Sequence, residues 1–195
     1  MTRFAQALLA LLLVVAAAAG CATGKDAVVR GSGFEFVAPG GKTDIFYEGP
    51  QRQALPALAG EDLMNEGKQL SLSDFAGKVV VINLWGQWCA PCRTEAPEME
   101  KVYRQAGPSG VQVLGIDVRD FDRQPPQDFL RDRGLTYPSI YDPPGRTLLP
   151  LAGYPRNVVP STIIVDRQHR VAAVFLRDLL ATDVLPVVQR LAGES

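Results

Sequence analysis

Val79-Val80-Val81-Ile82-Asn83-Leu84-Trp85 is an almost continuous apolar, β-branched run, broken only by Asn83. A run of this length and composition predicts a strand covered on both faces, central and parallel in its sheet. A helix is expected to follow over residues 89–105, kinked by Pro97, and the apolar run at 111–118 supplies the next strand. A helix near 127–133, a strand at Ser139–Tyr141, strands at 162–165 and Val171–Phe175, and a last helix near 183–191 complete the pattern. Strands alternating with helical segments predict an α/β sandwich.

Upstream the signals are shorter. Two β-prone runs, at 34–37 and 44–47, flank Pro39-Gly40-Gly41-Lys42 and predict a hairpin. A loop-like stretch holding Pro50 and Pro56 follows. Ser71 with Asp74 three residues on then reads as a variant capping box for a single helical turn stopped at Gly77.

The first twenty residues stand apart from this fold. Arg3 precedes an uninterrupted apolar run over 7–19, short of the roughly eighteen or more residues of a spanning helix and suited to a signal-peptide core. Ala18-Ala19-Gly20 directly before Cys21 resembles a bacterial lipobox, with Ala18 where such boxes usually carry Leu. The resemblance implies cleavage before Cys21 and its acylation, which would hold the protein on the outer face of a membrane at about 0.8 kcal/mol per buried CH₂. The alternative is a cleaved secretory signal with an incidental cysteine. Residues 1–20 are thus expected to be a lipoprotein signal peptide, 21–33 a lipidated tether of mixed polar composition, and 34–195 the folded domain.

The balance of 20 Lys and Arg against 21 Asp and Glu, with no basic block, argues against nucleic acid as a partner. A chain of 195 residues with 47% hydrophobic residues has room for one domain with a proper core. The single histidine leaves little for metal or acid–base chemistry, so attention falls on three cysteines. With Cys21 lipidated, Cys89 and Cys92 are the remaining thiols.

Cys89-Ala90-Pro91-Cys92 follows the buried strand directly and opens a helix. A zinc site needs about four ligands, and only these two thiols and His169 are on offer. A covalent haem site needs His after the second cysteine, where Arg93 stands. A structural disulfide remains an alternative, although so short a loop constrains the unfolded chain little. A reactive pair has a physical basis in the unpaired N–H groups and dipole of the helix start, which favour a thiolate on Cys89. At an ordinary pKa near 8.5 about 3% of a thiol is ionised at pH 7, against about half at a pKa near 7. Cys89 is therefore expected to attack, and Cys92, one turn deeper, to resolve.

Trp85-Gly86-Gln87-Trp88-Cys89-Ala90-Pro91-Cys92-Arg93 resembles the thioredoxin-fold active site, in particular its membrane-tethered TlpA/ResA-like branch. Leu72-Ser73-Asp74-Phe75-Ala76-Gly77-Lys78, Glu95-Ala96-Pro97 and Val159-Pro160-Ser161-Thr162 before a strand ending at Asp166 carry the same likeness, from about residue 50 to 190. It implies a thioredoxin-like three-layer α/β sandwich, a mixed central sheet flanked by helices, here with an N-terminal β-hairpin extension. It also implies thiol–disulfide oxidoreductase activity without cofactor or metal.

By the same resemblance Pro160 is the cis-proline opposite the disulfide, the Val159 backbone pairs with an incoming peptide, and Trp88 shields the disulfide. The alternative for Pro160 is an ordinary strand-entry proline, since about 5–6% of X-Pro bonds in folded proteins are cis. Glu95 lies three residues beyond Cys92, on the same side of the helix. The branch places an acid there, which implies a proton acceptor and donor for Cys92; the alternative is a carboxylate that only favours the helix start. His169 stands where the family usually has Gly, implying a left-handed backbone and no catalytic role. Arg93 is expected to be a solvated surface charge.

The leading expectation is a lipid-anchored reductant of exported proteins on the extracytoplasmic face, with apocytochrome c as the client implied by resemblance and a membrane thiol carrier as electron donor. The same chemistry run in reverse would make a disulfide-introducing oxidase, and about 30 mV changes that equilibrium tenfold. A different class is a non-catalytic peptide-binding lipoprotein using the Val159–Pro160 edge. A thiol peroxidase usually needs Thr three residues before its reactive cysteine, where this chain has Gly86.

Overall fold

The computed structural model describes residues 33–194. The signal peptide, the Cys21 lipidation site and the tether up to residue 32 lie outside the described residues. Eight strands form one mixed sheet: β1 (Asp44–Phe46), β2 (Ala59–Asp62), β3 (Gln69–Ser71), β4 (Val79–Trp85), β5 (Val111–Asp117), β6 (Ser139–Tyr141), β7 (Ser161–Val165) and β8 (Val171–Phe175). Their order across the sheet is β1-β8-β7-β4-β5-β6-β2-β3. Among the described residues three α-helices accompany them, α1 (Ala90–Ala106), α2 (Gln124–Arg133) and α3 (Ala181–Ala192).

β4 is central, as its apolar run requires, but only one side of it is parallel. It pairs in parallel with β5 and antiparallel with β7. Its side chains alternate between two cores: Val79, Val81 and Trp85 face the helices, and Val80, Ile82 and Leu84 face away. Asn83 belongs to the helix-facing set and puts one polar group beneath α1.

The steps from β4 to β5 and from β5 to β6 run in the same direction across the sheet, so two right-handed crossovers place α1 and α2 on one face. The buried residues of α3 join the same core, beside those of α1. The opposite face is covered by loops and short 3-10 turns: Phe34, Phe36, Leu55 and Leu58 from the N-terminal segment, and Leu148, Leu151 and Tyr154 from the connection before β7. The sandwich therefore has its three layers, with the α-helices of the described residues together in one outer layer.

The N-terminal hairpin does not form. β1 instead pairs antiparallel with β8, and the Phe36 N–H donates to the Ala152 carbonyl 2.9 Å away. Each short run satisfies its backbone on a different part of the domain, while Phe34 and Phe36 bury their rings edge-on against Tyr47 and Tyr154. A hairpin forms one step later, where the sequence reads as loop: β2 pairs with β3 and caps the exposed edge of β6. Gly60 permits that approach, since a Cβ there would meet Ile140 Cγ2 at 2.5 Å.

The Ser71–Asp74 capping box is present, with the Ser71 N–H donating to Asp74 at 2.8 Å. α2 starts earlier than the pattern suggests because Pro125 and Pro126 occupy its first turn, where no N–H is needed. Among the described residues no helix is long and apolar enough to cross a membrane.

Candidate active site

The end of β4 delivers the chain into the turn at residues 86–88, and Cys89 follows as the N-cap of α1. Cys89 and Cys92 are joined by a disulfide, with Cα atoms 5.2 Å apart. The Cys92 N–H points at the Cys89 sulfur, 3.3 Å away, so one of the unpaired amides of the helix start already addresses the atom that would carry negative charge after reduction. Both cysteines are buried, and Cys89 is the outer of the two.

The Val159–Pro160 bond is cis, and the Val159 carbonyl oxygen lies 3.7 Å from the Cys89 sulfur. Trp88 is 43% exposed beside the disulfide. Its indole N–H donates to the Val118 carbonyl at 2.8 Å, and the Arg119 guanidinium sits 5.3 Å from its ring centroid. A groove of about 400 Å³ opens next to this corner, lined by Val118, Arg119, Pro143, Leu148, Tyr154 and Arg156 among others.

Glu95 is 2% exposed on the inner face of α1, the face that also buries Cys92. Its carboxylate accepts 2.9 Å hydrogen bonds from Asn83 Nδ2 and the Leu179 N–H. Asn83 is held in turn by Thr162, whose Oγ1 accepts from Nδ2 at 3.1 Å. Burial dominates the electrostatics and pushes the Glu95 carboxyl up to about 7, against the lowering effect of those two hydrogen bonds. The polar residue inside β4 thus orients a carboxylic acid supplied by the helix.

Other positions contribute in ways not expected from sequence. Arg93 is half-buried rather than solvated, and its Nη1 donates to the Gln87 carbonyl at 2.8 Å. The Gln87 N–H donates to Asp120 at 2.6 Å. The turn leading into Cys89 is therefore gripped at both ends of one residue. No local pattern marks Arg93 or Asp120 for this task; the one signal is Asp117, an acid at the end of the largely apolar β5. His169 has φ 54° and its Nε2 contacts the Phe75 carbonyl at 3.2 Å, far from the cysteines in the turn between β7 and β8. Among the described residues no three His, Cys, Asp or Glu side chains converge as a metal site.

This geometry agrees with the comparisons. Residues 52–174 match the AhpC/TSA family. The chain belongs to that family. Among curated AhpC/TSA-like relatives, "Thiol-disulfide oxidoreductase ResA" of Bacillus thuringiensis subsp. konkukian (strain 97-27) is 31% identical over 106 residues, which cover 54% of this chain and 59% of that protein. The chain thus spans about three-fifths of the length of such curated relatives. Of solved structures, a secreted thiol-disulfide isomerase from Corynebacterium glutamicum superposes with a TM-score of 0.80 at 51% identity, covering 83% of this chain and 98% of the other. A DsbF homologue from Corynebacterium diphtheriae gives 0.77 at 48% identity, covering 82% and 99%. Gly86, three residues before Cys89, is closely packed, since a Cβ there would meet the Trp88 indole and the Val118 carbonyl oxygen.

Proposed function

We propose that this protein is an extracytoplasmic thiol–disulfide oxidoreductase, and the observation that carries the reading is the Cys89–Cys92 disulfide at the start of α1, facing the Val159–Pro160 backbone. In the reducing direction the Cys89 thiolate attacks one sulfur of a client disulfide, forming a mixed disulfide and releasing the other client sulfur as a thiolate. Cys92 then gives its proton to Glu95 and attacks the Cys89 sulfur, which frees the second client thiolate and restores the Cys89–Cys92 bond. Two electrons pass to the client. The Val159 backbone aligns the client segment as an added strand, Trp88 covers the sulfur pair, and the groove beside Arg119 accommodates residues flanking the client cysteine.

The client is an exported protein, with apocytochrome c the candidate that the likeness to ResA suggests, and a membrane thiol carrier returns the electrons. A lipid at Cys21 keeps the enzyme on the outer face of the cell membrane. Cys21→Ser is expected to move the protein from the membrane to the soluble fraction on fractionation of cells; continued tight association would remove the lipid anchor from the account.

A second reading has its own support. The relative of 51% identity is described as a secreted thiol-disulfide isomerase, which favours introducing or rearranging disulfides over reducing them. The reduction potential of the Cys89–Cys92 pair, measured on the full-length protein in defined redox buffers, separates the two. A value below about −220 mV identifies a reductant, and one above about −180 mV identifies the oxidising or isomerising enzyme.

A further inference from the structure

The helix-facing side of the sheet carries a second buried acid. Asp117 closes β5, in register with Trp85 of β4 on one side and Tyr141 of β6 on the other. It is 0% exposed, and neither carboxyl oxygen receives a hydrogen bond from any N–H or O–H of the described residues. An ionised carboxylate left this way is among the costliest groups a core can hold. The group within hydrogen-bonding reach of it is another carboxyl, that of Asp120. Two carboxyl groups can hydrogen-bond to each other only by holding a proton between them.

Asp120 is also the residue whose Oδ2 accepts the Gln87 N–H, while Arg93 holds the Gln87 carbonyl. The Gly86–Trp88 turn places the indole on Val118 and leads directly into the N-cap Cys89. We propose that Asp117 is a proton-bearing positioning residue: its carboxyl proton ties Asp120 in place, Asp120 holds the Gln87 amide, and removal of that proton at alkaline pH loosens the turn that carries Trp88 over the disulfide.

The surroundings fit this role. Burial, followed by the hydrogen bond and charge of Asp120, pushes the Asp117 carboxyl up to about 9. Of the other charges nearby, Arg123 at the start of α2 opposes the shift, and Asp142 beyond β6 adds to it. Arg123 is committed elsewhere, with its guanidinium over the Tyr141 ring at 4.3 Å and paired with Glu61 at 3.0 Å. Asp142 accepts the N–H groups of Arg146 and Thr147 at 2.9 and 2.7 Å. Tyr141, across the strand pair, has its own hydroxyl pushed up chiefly by burial. None of these supplies Asp117 with a donor, so the proton stays where Asp120 can share it.

The experiment follows the backbone ¹⁵N resonance of Gln87 and the indole ¹⁵N resonance of Trp88 in the oxidised full-length protein from pH 7 to 10.5. With the disulfide intact neither cysteine titrates, so thiol ionisation does not contribute. Both resonances are expected to move together with a midpoint near 9. In Asp117→Asn, whose amide still donates to Asp120 but cannot ionise, the movement is expected to vanish. In Asp120→Asn, which removes the neighbouring charge, the midpoint is expected to fall by at least about one pH unit. Wild-type resonances that stay flat, a transition that persists in Asp117→Asn, or an unchanged midpoint in Asp120→Asn overturns the proposal. Should Asp117→Asn fail to fold, the Asp120→Asn midpoint decides alone. The consequence for catalysis rests on the redox reading of Cys89 and Cys92, but the measurement involves no client, so its failure leaves that reading standing.

Discussion

Cys89→Ser is expected to reduce protein-disulfide exchange to the uncatalysed background, a loss of at least about 1000-fold, without disturbing the fold. A serine hydroxyl can occupy the N-cap and accept the Cys92 N–H as the sulfur does, so the local structure has no reason to change. It cannot form a bond to a client sulfur, so the first step of the cycle has no substitute. Cys92→Ser behaves differently: Cys89 still attacks, the mixed disulfide accumulates, and the client is recovered covalently attached on a non-reducing gel. The pair of variants also separates enzyme from binding module. A protein that merely captured peptides along Val159 and Pro160 would keep its function in cells with both cysteines replaced, and that result would sink the oxidoreductase reading.

The parts of this site that sequence made legible are those whose signal is local. A β-branched run ending in Trp85, a Cys-x-x-Cys opening a helix, an acid one turn further on and a proline at a strand entry are each written within a few residues; the run leads into the turn before Cys89, the acid is buried on the helix face that buries Cys92, and the carbonyl before the proline lies against the Cys89 sulfur. What stayed hidden depends on distant partners. The 34–37 and 44–47 runs look like two arms of a hairpin because each is β-prone, yet neither run encodes that β8 and the connection before β7 offer better partners. β2 carries Gly60, Glu61 and Asp62, with no alternation to announce a strand, and forms because the edge of β6 is there to pair with. Arg93 and Asp120 look like ordinary surface charges until the fold brings both to Gln87, across separations of 6 and 33 residues. Local propensity is enough for β4 and the helix that follows it, while the topology decides the edge strands and which polar groups meet.

Glu95→Gln is expected to make the protein more stable and less active. The ordinary carboxyl value of 4.5 describes Glu95 in the unfolded chain, and burial raises it to about 7 in the fold. The folded state therefore holds the proton more tightly than the unfolded one. The carboxyl leaves folding unpenalised below pH 4.5, and its penalty grows as pH rises and is complete above 7. Converted at 1.36 kcal/mol per unit, the full penalty is about 3 kcal/mol, an upper figure because relaxation and water entry reduce it. Gln carries no charge, and its one amide oxygen can accept the Leu179 N–H, but its NH₂ replaces the oxygen that took Asn83 Nδ2, so the Asn83 amide must turn to present its unpartnered Oδ1; chemical denaturation of Glu95→Gln should show little change at pH 4 and a gain at pH 8 that stays below that figure. Activity moves the other way. Without a carboxylate to take its proton, the Cys92 thiol must ionise unaided, and resolution of the mixed disulfide should slow by about 100-fold. The rise in wild-type rate centred near pH 7 should disappear with it. A variant that gains stability at pH 8 while keeping the wild-type rate profile from pH 5 to 9 would show that Glu95 is buried strain without a proton to move. Loss of the pH 7 limb together with the stability gain would tie both to one titrating group, held in an unfavourable environment because the reaction needs its carboxyl poised near neutrality.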